Sequence, residues 1–220
     1  MVRVIAGSAG GLKLKTIDDA RTRPTLDRVK EPMFSMLAPY LAGKAVLDLF
    51  AGSGGLGIEA LSRGAASCLF NDADRRCAEL IRQNLAHTHL ADNAEVTAEK
   101  YDRLLERLAG AVDSGNASGN GSGGKPVPRR FGLILLDPPY GANYYENVIL
   151  CITRYGLFDP DCVIMCEHSR GNKLPDEIGA FGAVKRRGYG TVGLTMYTVR
   201  GERQDGEQRD DERQNGRVEA

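Results

Sequence analysis

Val46-Leu47-Asp48-Leu49-Phe50-Ala51-Gly52-Ser53-Gly54-Gly55-Leu56-Gly57 decides the fold class of this 220-residue chain. Val46 to Phe50 is an apolar run broken only by Asp48, and it reads as a buried strand. The glycines open a turn, Ile58-Glu59-Ala60-Leu61-Ser62-Arg63 begins a helix, and Gly64 closes it. A glycine-rich turn from strand to helix lets a ligand approach the main chain closely. Gly52, Gly54 and Gly57 match the G-x-G-x-x-G spacing of dinucleotide-binding turns, a pattern that alone does not single out a nucleotide. Some twenty residues on, Asp72 ends a second strand, Ala66-Ser67-Cys68-Leu69-Phe70-Asn71. Its carboxylate is placed either to accept hydrogen bonds from ribose hydroxyls or to cap the helix beginning near Ala73.

The same alternation extends along the chain. Strands are expected near 45–50, 66–72, 94–98, 131–137 and 162–168, and helices near 55–63, 73–88, 99–109 and 144–155. Such alternation implies an α/β fold with a mostly parallel sheet and helices on both faces. A closing pair near 181–188 and 191–199 reads as an antiparallel hairpin on the sheet edge. At the front, Val2, Val4, Leu12 and Leu14 share one face and Arg3 and Lys13 the other, the pattern of a β-hairpin with a loose glycine loop. Arg21-Thr22-Arg23-Pro24-Thr25 reads as a loop, with Thr25 a candidate cap. A helix from Asp27 places Val29, Met33, Met36, Leu37, Tyr40 and Leu41 on one side, tolerates Pro32 only near its first turn, and ends at Gly43. Residues 110–130, rich in Gly, Ser and Asn, cannot bury a core and are expected to form a flexible insertion. Residues 201–220 are polar, lack aromatic residues, and are expected to be a disordered tail. The organisation expected is a basic N-terminal extension, 1–42, a catalytic domain, 43–200, and that tail.

About ninety residues beyond the glycine turn, Asp137-Pro138-Pro139-Tyr140 ends the apolar run Leu133-Ile134-Leu135-Leu136. Two prolines remove two N–H donors and leave carbonyl acceptors, and Pro138 forces Asp137 toward extended geometry. A strand thus ends in a stiff bend that carries a carboxylate, bare carbonyls and an aromatic ring. A planar group bearing NH2 fits all three. Its two N–H bonds reach the Asp137 carboxylate and the Pro138 carbonyl, and its face stacks on Tyr140. The plainer reading is a proline stop with a solvated tyrosine.

Composition bounds the class. The formal net charge is zero and no apolar stretch is long enough for a membrane span, so a cytoplasmic enzyme without membrane contact is expected. Residues 1–30 carry seven Lys/Arg against three acids, and 201–220 carry four Arg against seven acids. The basic front end is either a phosphate-binding patch or a solvated charged face. Cys68, Cys77, Cys151, Cys162 and Cys166 are scattered and odd in number, so reduced core thiols are expected rather than disulfides or a metal site.

On these motifs the chain resembles the class I, S-adenosylmethionine-dependent methyltransferases. More narrowly it resembles the RsmD family, bacterial enzymes that methylate the 2-amino group of one guanine in 16S ribosomal RNA. The segments that carry the resemblance are Arg21 to Thr25 with Arg28, the glycine turn, Leu61-Ser62-Arg63-Gly64-Ala65, Asp137 to Tyr140, and Glu167-His168-Ser169. It implies a Rossmann-like, seven-stranded sheet with its last strand reversed. It also implies S-adenosyl-L-methionine as methyl donor, S-adenosyl-L-homocysteine as product, no metal, and a monomer acting on 16S rRNA in the assembling small ribosomal subunit. By the same resemblance Asp137, Pro138 and Tyr140 form the catalytic bend, while Asp48, Ala51, Gly52, Ser53, Gly54 and Asp72 hold the cofactor. Glu99 is either the acid that meets the adenine edge or a first-turn acid favourable to its helix. Arg21, Arg23, Thr25 and Arg28 contact the RNA. Glu167-His168-Ser169 either shapes the substrate mouth or simply ends a strand. Methylation of amino groups in DNA adenine or cytosine, or in a protein glutamine, remains open because each presents NH2 on a planar group. A nicotinamide-dependent dehydrogenase and a non-catalytic RNA-binding module are more distant alternatives.

Overall fold

The computed structural model describes residues 2–16, 27–113, 130–139 and 144–201. Arg21, Arg23, Thr25, Tyr140, the tail from 202 and all but the ends of the 110–130 insertion lie outside the described residues.

The expected alternation is present. It runs β1 (Val2–Arg3), β2 (Lys13–Leu14), α1 (Asp27–Leu37), β3 (Ala45–Asp48), α2 (Gly55–Ser62), β4 (Ser67–Asn71), α3 (Arg75–Thr88), β5 (Ala94–Thr97) and α4 (Tyr101–Asp113). It continues β6 (Phe131–Leu136), α5 (Tyr144–Tyr155), β7 (Phe158–Ser169), β8 (Glu177–Ile178), β9 (Phe181–Tyr189) and β10 (Val192–Val199). One sheet has the order β5-β4-β3-β6-β7-β10-β9-β8, and β1 pairs with β2 in a separate hairpin. Strands β3 to β7 are parallel, while β10 is antiparallel to both β7 and β9. Strand order reverses at β3, which lies between β4 and β6. A crevice therefore opens outside the carboxyl ends of β3 and β6, where open α/β sheets take their ligands.

Three details correct the expectations. The sheet has eight strands rather than seven, because Glu177–Ile178 folds back through Gly179, at φ +56°, to pair with the start of β9. Two residues carry no readable alternation, so periodicity could not reveal this strand. The closing hairpin is not itself the edge: β10 lies between β7 and β9, β9 between β10 and β8, and β8 is the edge strand. Tyr40, assigned to the apolar side of the first helix, is 37% exposed, because the α-helix ends at Leu37 and a 3-10 turn, Ala38–Tyr40, rotates it outward.

Two apolar clusters cover the two sheet faces. α1, α2, α3 and the hairpin pack on one, and α4 and α5 on the other. Val2, Val4, Leu14, Val29, Phe34 and Leu37 belong to the first cluster together with Val46 and Ile58, so the N-terminal segment shares its core with the sheet. A set of buried polar contacts fixes that docking. Glu59, fully buried on α2, accepts from Ile5 N at 2.7 Å, Ala6 N at 3.0 Å and Arg63 Nε at 2.7 Å, and pairs with Lys30 Nζ at 3.2 Å. Lys30, itself 1% exposed, also donates to the Arg3 carbonyl. Ser62 Oγ donates to Ala6 O at 2.6 Å and accepts from Ala9 N at 2.9 Å. The approach is so close that a Cβ on Gly7, at φ +87°, would lie 1.8 Å from Ser62 O.

Removing one partner from a buried ion pair strands the other charge, at a cost of about 3–5 kcal/mol. Glu59→Ala is therefore expected to lose about that much stability in urea unfolding. The double variant Glu59→Ala/Lys30→Met should recover part of the loss, because no unpaired ammonium remains.

Candidate active site

The site begins at the carboxyl ends of the parallel strands. Asp48 closes β3 at 2% exposure, and its Oδ2 accepts from Gly57 N at 2.9 Å, tying the strand to the first turn of α2. Gly52 and Gly54 take left-handed φ values of +55° and +81°. A Cβ on Gly52 would meet nothing within 4 Å, so this stretch of main chain is open to a ligand. Gly57 has a different purpose. A Cβ there would lie 2.3 Å from the Phe70 ring and 2.8 Å from Cys68 Sγ, so the absence of a side chain lets α2 lie flat on β4.

Asp72 follows β4 directly. Its Oδ2 accepts from Gly52 N and its Oδ1 from Asp74 N, each at 2.9 Å. The cap of α3 is Asp74, which accepts from Arg76 N at 2.8 Å, so the helix-capping alternative for Asp72 gives way to a brace between strand end and glycine turn. Asp74 is also held below the usual carboxylate range by its hydrogen bonds to Arg76. Asn71, 1% exposed, donates to the carbonyls of Leu49 and Glu99 and accepts from Thr97 Oγ1 and Glu99 N. One amide thus fixes the ends of β3, β4 and β5 relative to each other. Asn84, fully buried on α3, donates to Ser53 O at 2.9 Å and Lys15 O at 3.0 Å and accepts from Lys15 N at 2.9 Å. It joins the glycine turn to the end of the N-terminal hairpin.

These elements enclose a cavity of about 940 Å³. Asp48, Ala51, Gly52, Ser53, Asp72, Glu99, Asp137, Pro138 and Arg28 all line it, so sequence-assigned cofactor, catalytic and RNA residues meet in one space. Gly54, turned against Ile58 and Ile81, shapes the loop without lining the cavity. Glu99 lines it, yet its carboxylate is gripped by Arg107, with Nη2 at 2.7 Å. Of the Glu167-His168-Ser169 stretch, Glu167 lines the cavity. His168 instead packs on β10, with Nε2 2.8 Å from Thr195 Oγ1, and burial pulls its pKa down. Cys77 also borders the cavity, and burial pushes its thiol up to about 12, which leaves it protonated at neutral pH.

Several lining residues were not anticipated. Phe50, Tyr101 and Tyr144 form a mutually packed trio, with ring centroids 5.7–5.8 Å apart, along the α4–α5 wall. Asn84 and Glu59 did carry a signal. Asn84 falls on the apolar stripe of Cys77, Ala78, Ile81 and Leu85, and Glu59 is the one acid of an otherwise apolar helix. A polar residue at such a position must find a buried partner.

A family model described as Conserved hypothetical protein 95 matches residues 2–117 and 119–198. The chain is 38% identical over 200 residues to the putative rRNA methyltransferase YlbH of Bacillus subtilis, spanning 91% of this chain and 100% of the relative. It is 32% identical over 196 residues to the ribosomal RNA small subunit methyltransferase D of Escherichia coli, spanning 89% of each. The chain belongs to the RsmD family. A solved structure described as the putative methyltransferase yhhF from Escherichia coli superposes with a TM-score of 0.72 at 28% identity, covering 90% of this chain and 97% of that one. The sheet is accordingly that of a class I methyltransferase, and the RsmD match extends from the hairpin through β10.

Within this RsmD-family site, burial raises the Asp48 carboxyl to about 7; the Gly57 N–H opposes the rise and the neighbouring Asp72 charge adds to it. An unfolded Asp titrates near 3.9. Between about 4 and 7 the folded chain therefore binds more protons than the unfolded one, and stability falls as pH rises through that window. Asp48→Asn keeps an acceptor for Gly57 without the charge. It is expected to unfold at higher urea than the parent at pH 8, with the difference shrinking toward pH 5.

Proposed function

We propose that the chain transfers a methyl group from S-adenosylmethionine to the exocyclic 2-amino group of a guanine in 16S rRNA, in the cytoplasm, on the assembling small ribosomal subunit. The observation that carries this reading is the single cavity lined both by the glycine turn and by Asp137-Pro138-Pro139. Cofactor and nucleophile need such a shared space. The chain's membership in a family with rRNA methyltransferases supports the substrate class.

The residues fit the donor. Open main chain at Ala51 to Ser53 suits its amino-acid part, and Asp72 at the strand end suits ribose hydroxyls. The aromatic wall of Phe50, Tyr101 and Tyr144 faces the same space. When bound, S-adenosylmethionine supplies an electrophilic methyl on a positively charged sulfur. The protein's part is then to place the nucleophile and shape the field around it.

The guanine amine is a weak nucleophile because its lone pair is delocalised into the ring. Asp137 and the Pro138 carbonyl accept its two N–H bonds, hold the nitrogen in line, and favour a pyramidal geometry that frees the lone pair. Asp137 and Pro138 would thereby present that pair to the methyl group of a bound donor, whose positively charged sulfur would take up the electrons of the bond it loses. Positive charge grows on nitrogen, and the Asp137 carboxylate stabilises it until one proton leaves. Tyr140 stacks on the base, which must leave its own stack to enter. Among the described residues no helix is long and apolar enough to cross a membrane.

Small subunits lacking the methyl group, incubated with labelled cofactor and digested to nucleosides, are expected to show label in N2-methylguanosine. Asp137→Ala should lower that transfer by about a hundredfold or more while leaving S-adenosylhomocysteine affinity nearly unchanged. Asp72→Ala should weaken S-adenosylhomocysteine binding. Label in another nucleoside, or near-parental turnover by Asp137→Ala, would refute the mechanism.

A further inference from the structure

Arg28 and Arg170 come from distant parts of the chain and converge on one short turn. Arg28 lies in the first turn of α1 and lines the cavity. Arg170 follows β7 directly, its main-chain N–H donating to Thr191 O at 2.8 Å. The turn is Gly190-Thr191, entered from Gly188-Tyr189 at the end of β9, and Thr191 and Val192 line the cavity. A Cβ on Gly188 would lie 3.0 Å from Arg170 Nε, and one on Gly190 would lie 3.8 Å from Arg28 Nη2. Two bare glycines thus let two guanidinium groups rest against the same strip of main chain.

Both arginines are exposed, and among the described residues neither has an acid partner. Arg170 donates only a long 3.4 Å bond to Gly190 O. Of the acids around them, Asp176 pairs with Arg186 at 2.8 Å, and Glu167, which lines the same cavity as Arg28, is 9% exposed. Lys185 and Arg187 continue the positive charge along β9. Convergent, unneutralised arginine forks beside a pocket that takes a base have the chemistry of a phosphodiester site.

We propose that Arg28, Arg170 and the Gly188–Gly190 main chain bind a phosphodiester group of the RNA strand next to the guanine that enters the cavity. This rests on the reading of the site as an RNA guanine methyltransferase. It assigns RNA contact to Arg170 in the C-terminal half of the chain, beside Arg28 of the N-terminal extension. A strand held by two guanidinium groups at one phosphodiester presents the neighbouring base in one orientation, while sequence information is left to the pocket.

The test measures affinity and turnover on small subunits lacking the methyl group, over a salt series. Arg170→Ala is expected to raise KM for the subunit by about tenfold with kcat little changed. It should also make the slope of log affinity against log salt shallower by about 0.7–1, the loss of one phosphate contact. Gly188→Glu, which sets a carboxylate beside the Arg170 guanidinium, should act in the same direction without removing the arginine. Arg170→Lys should retain the salt slope and recover only part of the affinity. S-adenosylhomocysteine affinity should not move in any of these variants, and Arg103→Ala, an exposed arginine on α4, should leave the slope as it is. Unchanged KM and salt slope in Arg170→Ala and Gly188→Glu would overturn the site. So would a fall in S-adenosylhomocysteine affinity with the salt slope intact, which would make the anion the cofactor's carboxylate. A parent protein that labels no guanine in the subunit would remove the functional reading itself, and the site with it.

Discussion

A carboxylate with no solvent exposure organises this molecule. Glu59 sits one turn after the glycine loop and collects two main-chain N–H groups, an arginine and a buried lysine. Such a group is costly to bury, and the cost is offset only when every partner is in place. Its partners include the N-terminal segment and α1, so the element that carries Arg28 is tied to the helix that follows the glycine turn. Gly7 and Ser62 extend the same contact. The N-terminal segment is thereby fixed as one wall of the cavity rather than left as an appendage.

A second buried group does the same for the strand ends. Parallel strands present their carboxyl termini on one edge, but nothing in strand pairing alone fixes how far each projects. Asn71 bonds to the segments after β3 and β5 and to Thr97, which sets the height of the Ala51–Ser53 loop and of Glu99. Asp72 then braces Gly52 from the next position along. The glycine-turn side of the cavity is pre-formed by hydrogen bonds of this kind, and Asp137, at the end of β6, lines the same cavity.

The sequence made the strand–helix order legible because the signals were strong. Apolar runs such as Leu133 to Leu136 and the glycine turn have few other readings. Glu177–Ile178 was invisible, since two residues hold no period. The G-x-G-x-x-G spacing was literally present and chemically ambiguous. Its third glycine serves the packing of α2 on Phe70 and Cys68, a need that many folds share. The site's charged residues could be named from motifs, but their partners could not. Neither the Glu99–Arg107 pair nor the meeting of Arg28 with Gly190 follows from spacing, because each joins segments that only the fold brings together. The aromatic trio is the same case, with one ring each from the ends of β3, α4 and α5.

The mechanism we propose sets a sulfonium and a planar amine face to face between the glycine turn and the proline bend. A crystal structure of the chain with S-adenosylhomocysteine tests it most directly. The ribose hydroxyls should lie on the Asp72 carboxylate, the amino-acid part along Ala51 to Ser53, and the sulfur should be turned toward Asp137 and Pro138. A ligand whose sulfur points away from that bend, or whose ribose lies far from Asp72, would contradict it.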